Sequence, residues 1–222
     1  MKYLRNIILL STIVFLSCSS EKKESLGKYY NFINSEFDKE VMLDFSKNGI
    51  ELIKDIEIQI KEDLCESNPK LKGSFLIKKK KTSFPLVAYK YCQSHVHYNN
   101  RIPILINLKN EVLINNIIIK PSNSIEYKVF NATQKLENLT NIVYLINWDI
   151  EINPALIKER LNEIFIAAKK YSNKISLEKY DKRFDELNES ELKKIKKKYY
   201  PFIGIEQSVI VFYCISVISH NL

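Results

Sequence analysis

Two histidines near the middle of the chain, His95 and His97, follow Cys92 closely and are the first candidates for metal chemistry. Residues two apart on a β-strand point to the same side, so both imidazoles could face one ion. A structural zinc site needs four ligands, and neither a carboxylate nor a second Cys follows at ligand spacing. The sequence therefore favours surface histidines beside a turn at residues 98–100, with no metal and no cofactor.

The same histidines could serve a hydrolase if they were paired with Asp149 and a nucleophile. A catalytic triad needs a nucleophile, a base and an orienting carboxylate, and the chain has no nucleophile elbow and no paired-carboxylate motif. Its four glycines form neither a P-loop nor a dinucleotide fingerprint. We therefore predict a non-enzymatic protein, in which Asp149 ends a strand and caps the turn before Pro154.

Four cysteines bear on the redox environment: Cys18, Cys65, Cys92 and Cys214. In an oxidising compartment, Cys65 and Cys92 form the favoured disulfide pair. Cys214 lies in the apolar run at residues 209–217 and is typical of a buried strand thiol.

The N-terminus has the layout of a secretion signal. Lys2 and Arg5 precede an apolar run at residues 7–16, and the junction Ser17-Cys18 resembles a lipobox, although Phe15 replaces the usual Leu. The run is shorter than the roughly 20 apolar residues that a membrane-spanning helix needs. Residues 1–18 are thus predicted to be a lipoprotein-like signal, with Cys18 as the lipidated residue. An ordinary signal peptide and a short uncleaved anchor are the alternatives.

The charge of the chain is basic and dispersed. The formal net charge is +8, and removal of Lys2 and Arg5 leaves 32 basic against 26 acidic residues, which is +6. The lysines fall in runs such as residues 78–81 and 193–198, with no Arg-rich arm. Solvated faces, or contact with acidic envelope polymers, explain these runs better than nucleic acid does.

Hydrophobic periodicity divides the chain into a helical part and a mixed part. Residues 25–64 carry apolar positions three and four apart and predict a helical hairpin broken at Asn48-Gly49, although residues 55–61 alternate and could form a strand. We expect strands at 74–78, 86–91, 104–108, 112–115, 142–147, 202–205 and 209–219, a hairpin turn at Lys109-Asn110, and helices at 124–136, 154–171, 176–184 and 189–199.

Several of these segments resemble the periplasmic domain of the ExbD/TolR biopolymer-transport family. The resemblance lies in the hairpin Ile104-Leu-Ile-Asn-Leu-Lys-Asn-Glu-Val-Leu-Ile114, the strand end Asn147-Trp-Asp149 and the helix Ile157-Lys-Glu-Arg-Leu-Asn-Glu-Ile-Phe-Ile-Ala-Ala-Lys169. The pieces Phe184-Asp-Glu-Leu187, Tyr200-Pro201 and Ile205-Glu206 follow in similar order and spacing. The resemblance covers about residues 103–207 and does not extend to residues 20–100.

The resemblance implies an α+β fold, a small mixed sheet with helices packed on one face. With the N-terminal pattern, it predicts a signal at 1–18, a helical segment at 19–72 and an ExbD/TolR-like periplasmic domain at 73–222. The resemblance also implies that the partners are ExbB/TolQ-like or TonB-like envelope proteins, or peptidoglycan. It allows the chain to form a homodimer. Family members carry an ion-coupling Asp in their membrane helix, whereas residues 6–18 contain no acid.

Three hypotheses follow for the function. The first is a membrane-anchored accessory or binding domain, which faces the periplasm of the bacterial cell envelope beside a TonB- or Tol-type system. The second is a divergent ExbD subunit whose N-terminus is the membrane anchor. The third, which ranks lowest, is a periplasmic hydrolase.

Lipidation at Cys18 is directly testable. Because the basic residues, the short apolar run and the Ser-Cys junction coincide, a clickable fatty acid should label the wild-type chain and not Cys18→Ala. Equal label on the two proteins would contradict the assignment.

Overall fold

The computed structural model describes residues 37, 39–67, 69–77, 79–90, 100–119, 124–137 and 139–206. These ranges contain eight strands: β1 (Lys39–Met42), β2 (Leu71–Ile77), β3 (Lys80–Tyr89), β4 (Arg101–Ile106), β5 (Val112–Ile114), β6 (Ile117–Ile119), β7 (Ile142–Trp148) and β8 (Pro201–Glu206). They also contain four α-helices: α1 (Gly49–Ile60), α2 (Ile125–Gln134), α3 (Pro154–Tyr180) and α4 (Glu189–Lys198), with a 3-10 turn at Phe184–Glu186. The predicted signal peptide and the strand at 209–219 lie outside the described residues.

The eight strands form one mixed sheet in the order β1-β2-β3-β8-β7-β4-β5-β6. Its centre is parallel, because β8 runs parallel to both β3 and β7, and β7 runs parallel to β4. The β2–β3, β4–β5 and β5–β6 pairs are antiparallel, while β1 lies parallel to β2. The protein therefore has the predicted α+β fold.

The described helices share one face of the sheet. Buried residues from all four helices, among them Leu52, Val129, Ile164 and Ile195, form a single core with strand residues such as Ile203. On the other face, Tyr89, Val143 and Leu145 form a separate small cluster. Each helix thus buries one apolar stripe against the same side of the sheet, as the sequence predicts.

Local sequence fixes where most elements begin. Asn48 and Asn188 begin α1 and α4 with capping boxes, in which each side chain accepts a hydrogen bond from the backbone N–H three residues later. Asn153 caps α3 and Pro154 occupies its first turn, as predicted. The predicted turn at Lys109-Asn110 is also present, with Asn110 in the left-handed region at φ 62°.

The largest correction lies before residue 72, in the segment predicted to be helical. A helix passing through Val41 is wrong, because residues 39–42 form β1 and pair with β2. The Gln59 side chain stabilises this edge strand, since its amide bonds the N–H and the C=O of Met42 at 2.8 and 2.9 Å. The second predicted helix is confirmed as α1, and the alternative strand at 55–61 is wrong. Ile58 produced the misleading alternation, and it is 73% exposed on the helix.

Two further differences concern continuity. The helices predicted at 154–171 and 176–184 are one helix, α3, which ends when Asp181 adopts a left-handed conformation at φ 51°. Strand β6 was not predicted. It exists because Asn115 and Asn116 both take positive φ and turn the chain back onto β5.

A buried chain of hydroxyl groups joins three elements at the centre of the core. Thr133 of α2 donates to the carbonyl oxygen of Val129 at 2.9 Å, so it must accept from the Tyr144 hydroxyl on β7, also at 2.9 Å. Tyr144 in turn accepts from the Tyr199 hydroxyl at 3.0 Å, just past the end of α4. Both tyrosines are almost completely buried. The chain of bonds therefore fixes the end of α4 relative to the sheet.

We expect Tyr144→Phe to lower the free energy of unfolding by about 1–3 kcal/mol, because it removes two buried hydrogen bonds. Tyr127→Phe makes the same chemical change at a side chain that is 60% exposed, and should stay within about 0.5 kcal/mol of wild type. Urea unfolding of the three proteins measures both values.

Burial, only partly offset by these hydrogen bonds, raises the pKa of Tyr144 to about 12. Wild-type stability should therefore fall as the pH rises from about 10 to 12, and Tyr144→Phe should lose part of that dependence.

Candidate ligand-binding pocket

A cavity of about 640 Å³ opens at the end of the sheet where β2 and β8 begin and β3 ends, and its size falls within the range of ligand sites. Its walls come from Phe37 ahead of β1, the loop between α1 and β2, strands β2, β3 and β8, Asn141 ahead of β7, and helix α4. The described residues that line it are Phe37, Leu64, Pro69, Lys70, Leu71, Leu86, Val87, Ala88, Asn141, Lys193, Lys196, Lys197, Tyr200 and Phe202.

The floor of this pocket is apolar and is set by strand register. Leu71 of β2 pairs with Leu86 of β3, and Leu86 pairs in turn with Ile203 of β8. Phe37, Val87 and Phe202 at the cavity are only partly buried. They leave apolar surface that a ligand can cover, and covering it would contribute about 25 cal/mol per Å².

The charged part of the lining is entirely basic. Lys193, Lys196 and Lys197 lie three and four residues apart on α4 and so share one helix face, while Lys70 comes from the α1–β2 loop. No Asp or Glu is among the described lining residues. Within the described part of the chain, Lys70, Lys193 and Lys197 form no salt bridge, whereas Lys39, Lys72, Lys81 and Lys90 each contact a carboxylate.

Aromatic contacts hold one wall of the pocket in place. The Lys196 ammonium lies 4.6 Å from the centre of the Tyr200 ring, and that ring packs edge-to-face on Phe202 with 4.7 Å between the centroids. The preceding residue, Tyr199, is fully buried in the core. The position of α4, and with it the positions of the lysines, is therefore determined by the fold.

The pocket lies between the two parts of the chain that the sequence separates. Lys70, Leu71 and Leu86 come from residues 20–100, for which no family was predicted, while α4 and Tyr200 come from residues 103–207, which were predicted to be ExbD/TolR-like. Because β3 pairs directly with β8, the two parts form one continuous sheet and both contribute walls. The cavity thus depends on the N-terminal strands as much as on the C-terminal helix.

The disulfide prediction receives partial support. Cys65 is disulfide-bonded, and the other three cysteines lie outside the described residues. The Lys90 ammonium contacts Asp63 at 3.0 Å and Glu57 at 2.8 Å, which brings the chain just before Cys92 next to the loop that carries Cys65. This contact favours Cys92 as the partner. The pairing of Cys65 with Cys92 stays a prediction, and peptide mapping under non-reducing conditions tests it.

The other predicted site residues are not brought together by the described structure. Cys18, His95 and His97 lie outside it. Asp149 does end a strand, and its main-chain carbonyl closes the turn before Pro154 by accepting from the N–H of Ile152 at 3.1 Å. Its carboxylate accepts a hydrogen bond at 3.3 Å from the N–H of Leu108, in the neighbouring β4–β5 turn. Burial raises the pKa of Asp149, the hydrogen bond from Leu108 opposes the rise, and the charge of Glu151 adds to it.

Two other features are absent from the described ranges. No group of three or more His, Cys, Asp or Glu among the described residues is arranged to hold a metal ion. No helix in the described part of the chain is both long and apolar enough to cross a membrane.

Sequence reasoning missed the pocket, although one signal for it was present. The run at 193–198 was interpreted as a solvated face, and its i, i+3, i+4 lysines do share a face. Lys193, Lys196 and Lys197 border the cavity because Ile195, between them in sequence, is buried against the core and fixes the rotation of the helix. The residues on the opposite wall are more than 100 positions earlier in the chain, and only the strand pairing brings them close.

Comparison with known proteins gave no match of any kind: no family model, no curated protein and no solved structure corresponds to this chain. The resemblance to the ExbD/TolR family therefore remains a prediction from the sequence.

Proposed function

We propose that this chain is a non-enzymatic binding domain of the bacterial cell envelope, and that its lysine-lined pocket holds a ligand that is both anionic and partly apolar. The observation that carries the proposal is the pocket itself, in which an apolar floor lies beside four lysines and no described acid. Such a lining combines hydrophobic contact with charge attraction, which are the two components of most ligand sites.

The arrangement suits reversible binding for a second reason. Lysine ammonium groups hold anions as point charges on flexible stems and do not impose the planar geometry of a guanidinium. The pocket therefore selects ligands that carry negative charge and that also expose apolar surface. Its walls are built before any ligand arrives, because Tyr199, Leu71 and Leu86 are buried core residues. Pre-formed walls reduce the entropy that binding must overcome.

The cellular setting of the proposal rests on the sequence. A lipoprotein-like signal ending at Cys18 would anchor the chain to a membrane with the domain facing the periplasm. The resemblance of residues 103–207 to ExbD/TolR domains supports an accessory role beside a TonB- or Tol-type system, with ExbB/TolQ-like proteins, TonB-like proteins or peptidoglycan as partners.

Dansyl-glutamate tests the pocket, since it joins an apolar fluorophore to two carboxylates. The full-length chain in a neutral detergent should enhance its fluorescence saturably. Lys193→Gln/Lys197→Gln should weaken binding by about 1 kcal/mol, which is roughly fivefold, because two partly exposed charge contacts are lost.

The matched control is Lys194→Gln/Lys198→Gln, which removes the same two charges at the same spacing from α4 but from positions that do not line the pocket. It should bind dansyl-glutamate within about twofold of wild type, because exposed charges outside a site contribute little. Equal losses in the two variants, or no saturable binding by wild type, would refute the proposed function.

A further inference from the structure

We infer that the ligand of this pocket is an acidic peptide segment of a partner protein, bound through its carboxylates and one or more apolar side chains. The inference rests on the proposed function and names the ligand class. It follows from the sign and the number of the charges, the kind of cation, the aromatic surface and the concave shape of the site.

Charge is the first reason. The described lining contains four lysines and no acid, and three of the lysines come from α4 while Lys70 comes from the α1–β2 loop. Four lysines exceed what a single anionic head needs to balance its charge. They suit a ligand with several negative charges, such as a segment containing several Asp or Glu residues.

The kind of cation is the second reason. Sites that recognise phosphate by shape usually employ Arg, whose fork donates two parallel hydrogen bonds. No Arg is among the described residues of the lining. Lysines accept carboxylates in many orientations, and this tolerance is useful when the anions are carried by flexible Asp and Glu side chains.

The apolar surface is the third reason. Phe37 and Phe202 are partly buried at the cavity, and the Tyr200 ring forms part of the same wall. Aromatic residues are enriched at the centres of protein–protein interfaces, where they pack against a partner's apolar side chains. Aromatic side chains beside lysines therefore match a segment that alternates acidic and apolar residues.

The shape of the site argues against the main competing ligand, an anionic bilayer. The floor residues Leu71 and Leu86 are only 1% and 2% exposed, and lysines from α4 and from the α1–β2 loop line the same cavity. A flat membrane surface can reach exposed lysines but cannot enter a cavity. The side chains of an extended peptide can.

The test compares three fluorescein-labelled peptides of one design: Glu-Phe-Glu-Glu-Leu-Glu, and the same peptide with every Glu replaced by Gln or by Lys. Fluorescence anisotropy with the full-length chain should show the tightest binding for the Glu peptide, at least about fivefold tighter than for the Gln peptide. Lys193→Glu/Lys197→Glu leaves two lysines and two carboxylates in the lining, so it should lose the preference for the Glu peptide and bind the Lys peptide more tightly than wild type does. A gain of binding cannot result from misfolding.

Lys194→Glu/Lys198→Glu carries the same charge change on α4 outside the pocket and should keep the wild-type preference. If this control lost the preference for the Glu peptide equally, or if wild type bound the Gln peptide as well as the Glu peptide, the inference would be overturned. Displacement of dansyl-glutamate by dihexanoyl phosphatidylglycerol, but not by the Glu peptide, would show that the ligand is a lipid. The proposed function would then stand, whereas failure of dansyl-glutamate itself to bind would overturn both.

Discussion

The burial of Tyr199 at the end of α4 is the constraint on which the rest of the site depends. Its hydroxyl joins Tyr144 and Thr133 in one chain of hydrogen bonds, and its ring lies 5.0 Å from that of Tyr171 on α3. A buried hydroxyl without a partner would cost about 1–3 kcal/mol, so α4 has essentially one way to end. The next residue, Tyr200, then enters the pocket wall, and the lysines one turn earlier follow the rotation of the helix.

The contact between β3 and β8 also restricts which residues can be accommodated. Strand β3 lies beside β8, and on the face away from the helices the Tyr89 ring covers Gly204. A Cβ atom on Gly204 would lie 2.6 Å from Val143 Cγ1 and 3.2 Å from the Tyr89 ring, so any larger residue would push this cluster apart. Glycine at this position allows β3 to pack closely on β8, and the pocket forms where these two strands meet.

Much of the fold could be predicted because local signals and tertiary packing agree. Asn153-Pro154 and Asn188 begin helices for reasons contained within a few residues, and the apolar run at β7 is buried on both faces. The predictions failed where the local signals and the tertiary packing disagree. Val41 has helical spacing to its apolar neighbours, but it lies in β1 and pairs with β2. Ile58 alternates with its neighbours like a strand residue, but it lies exposed on a helix. The pocket could not be predicted, because Lys70 and Lys197 line the same cavity only through the pairing of β2, β3 and β8.

The central claim, that the lysine-lined cavity is the binding site, is tested most directly by NMR of the full-length chain with labelled methyl groups, titrated with dansyl-glutamate. The floor methyl groups of Leu64, Leu71 and Leu86 should shift together and saturate at one affinity, while those of Ile117 and Ile118, exposed on the distant edge strand β6, should not move. Shifts at β6 with none at the floor, or shifts that rise without saturation, would contradict the claim.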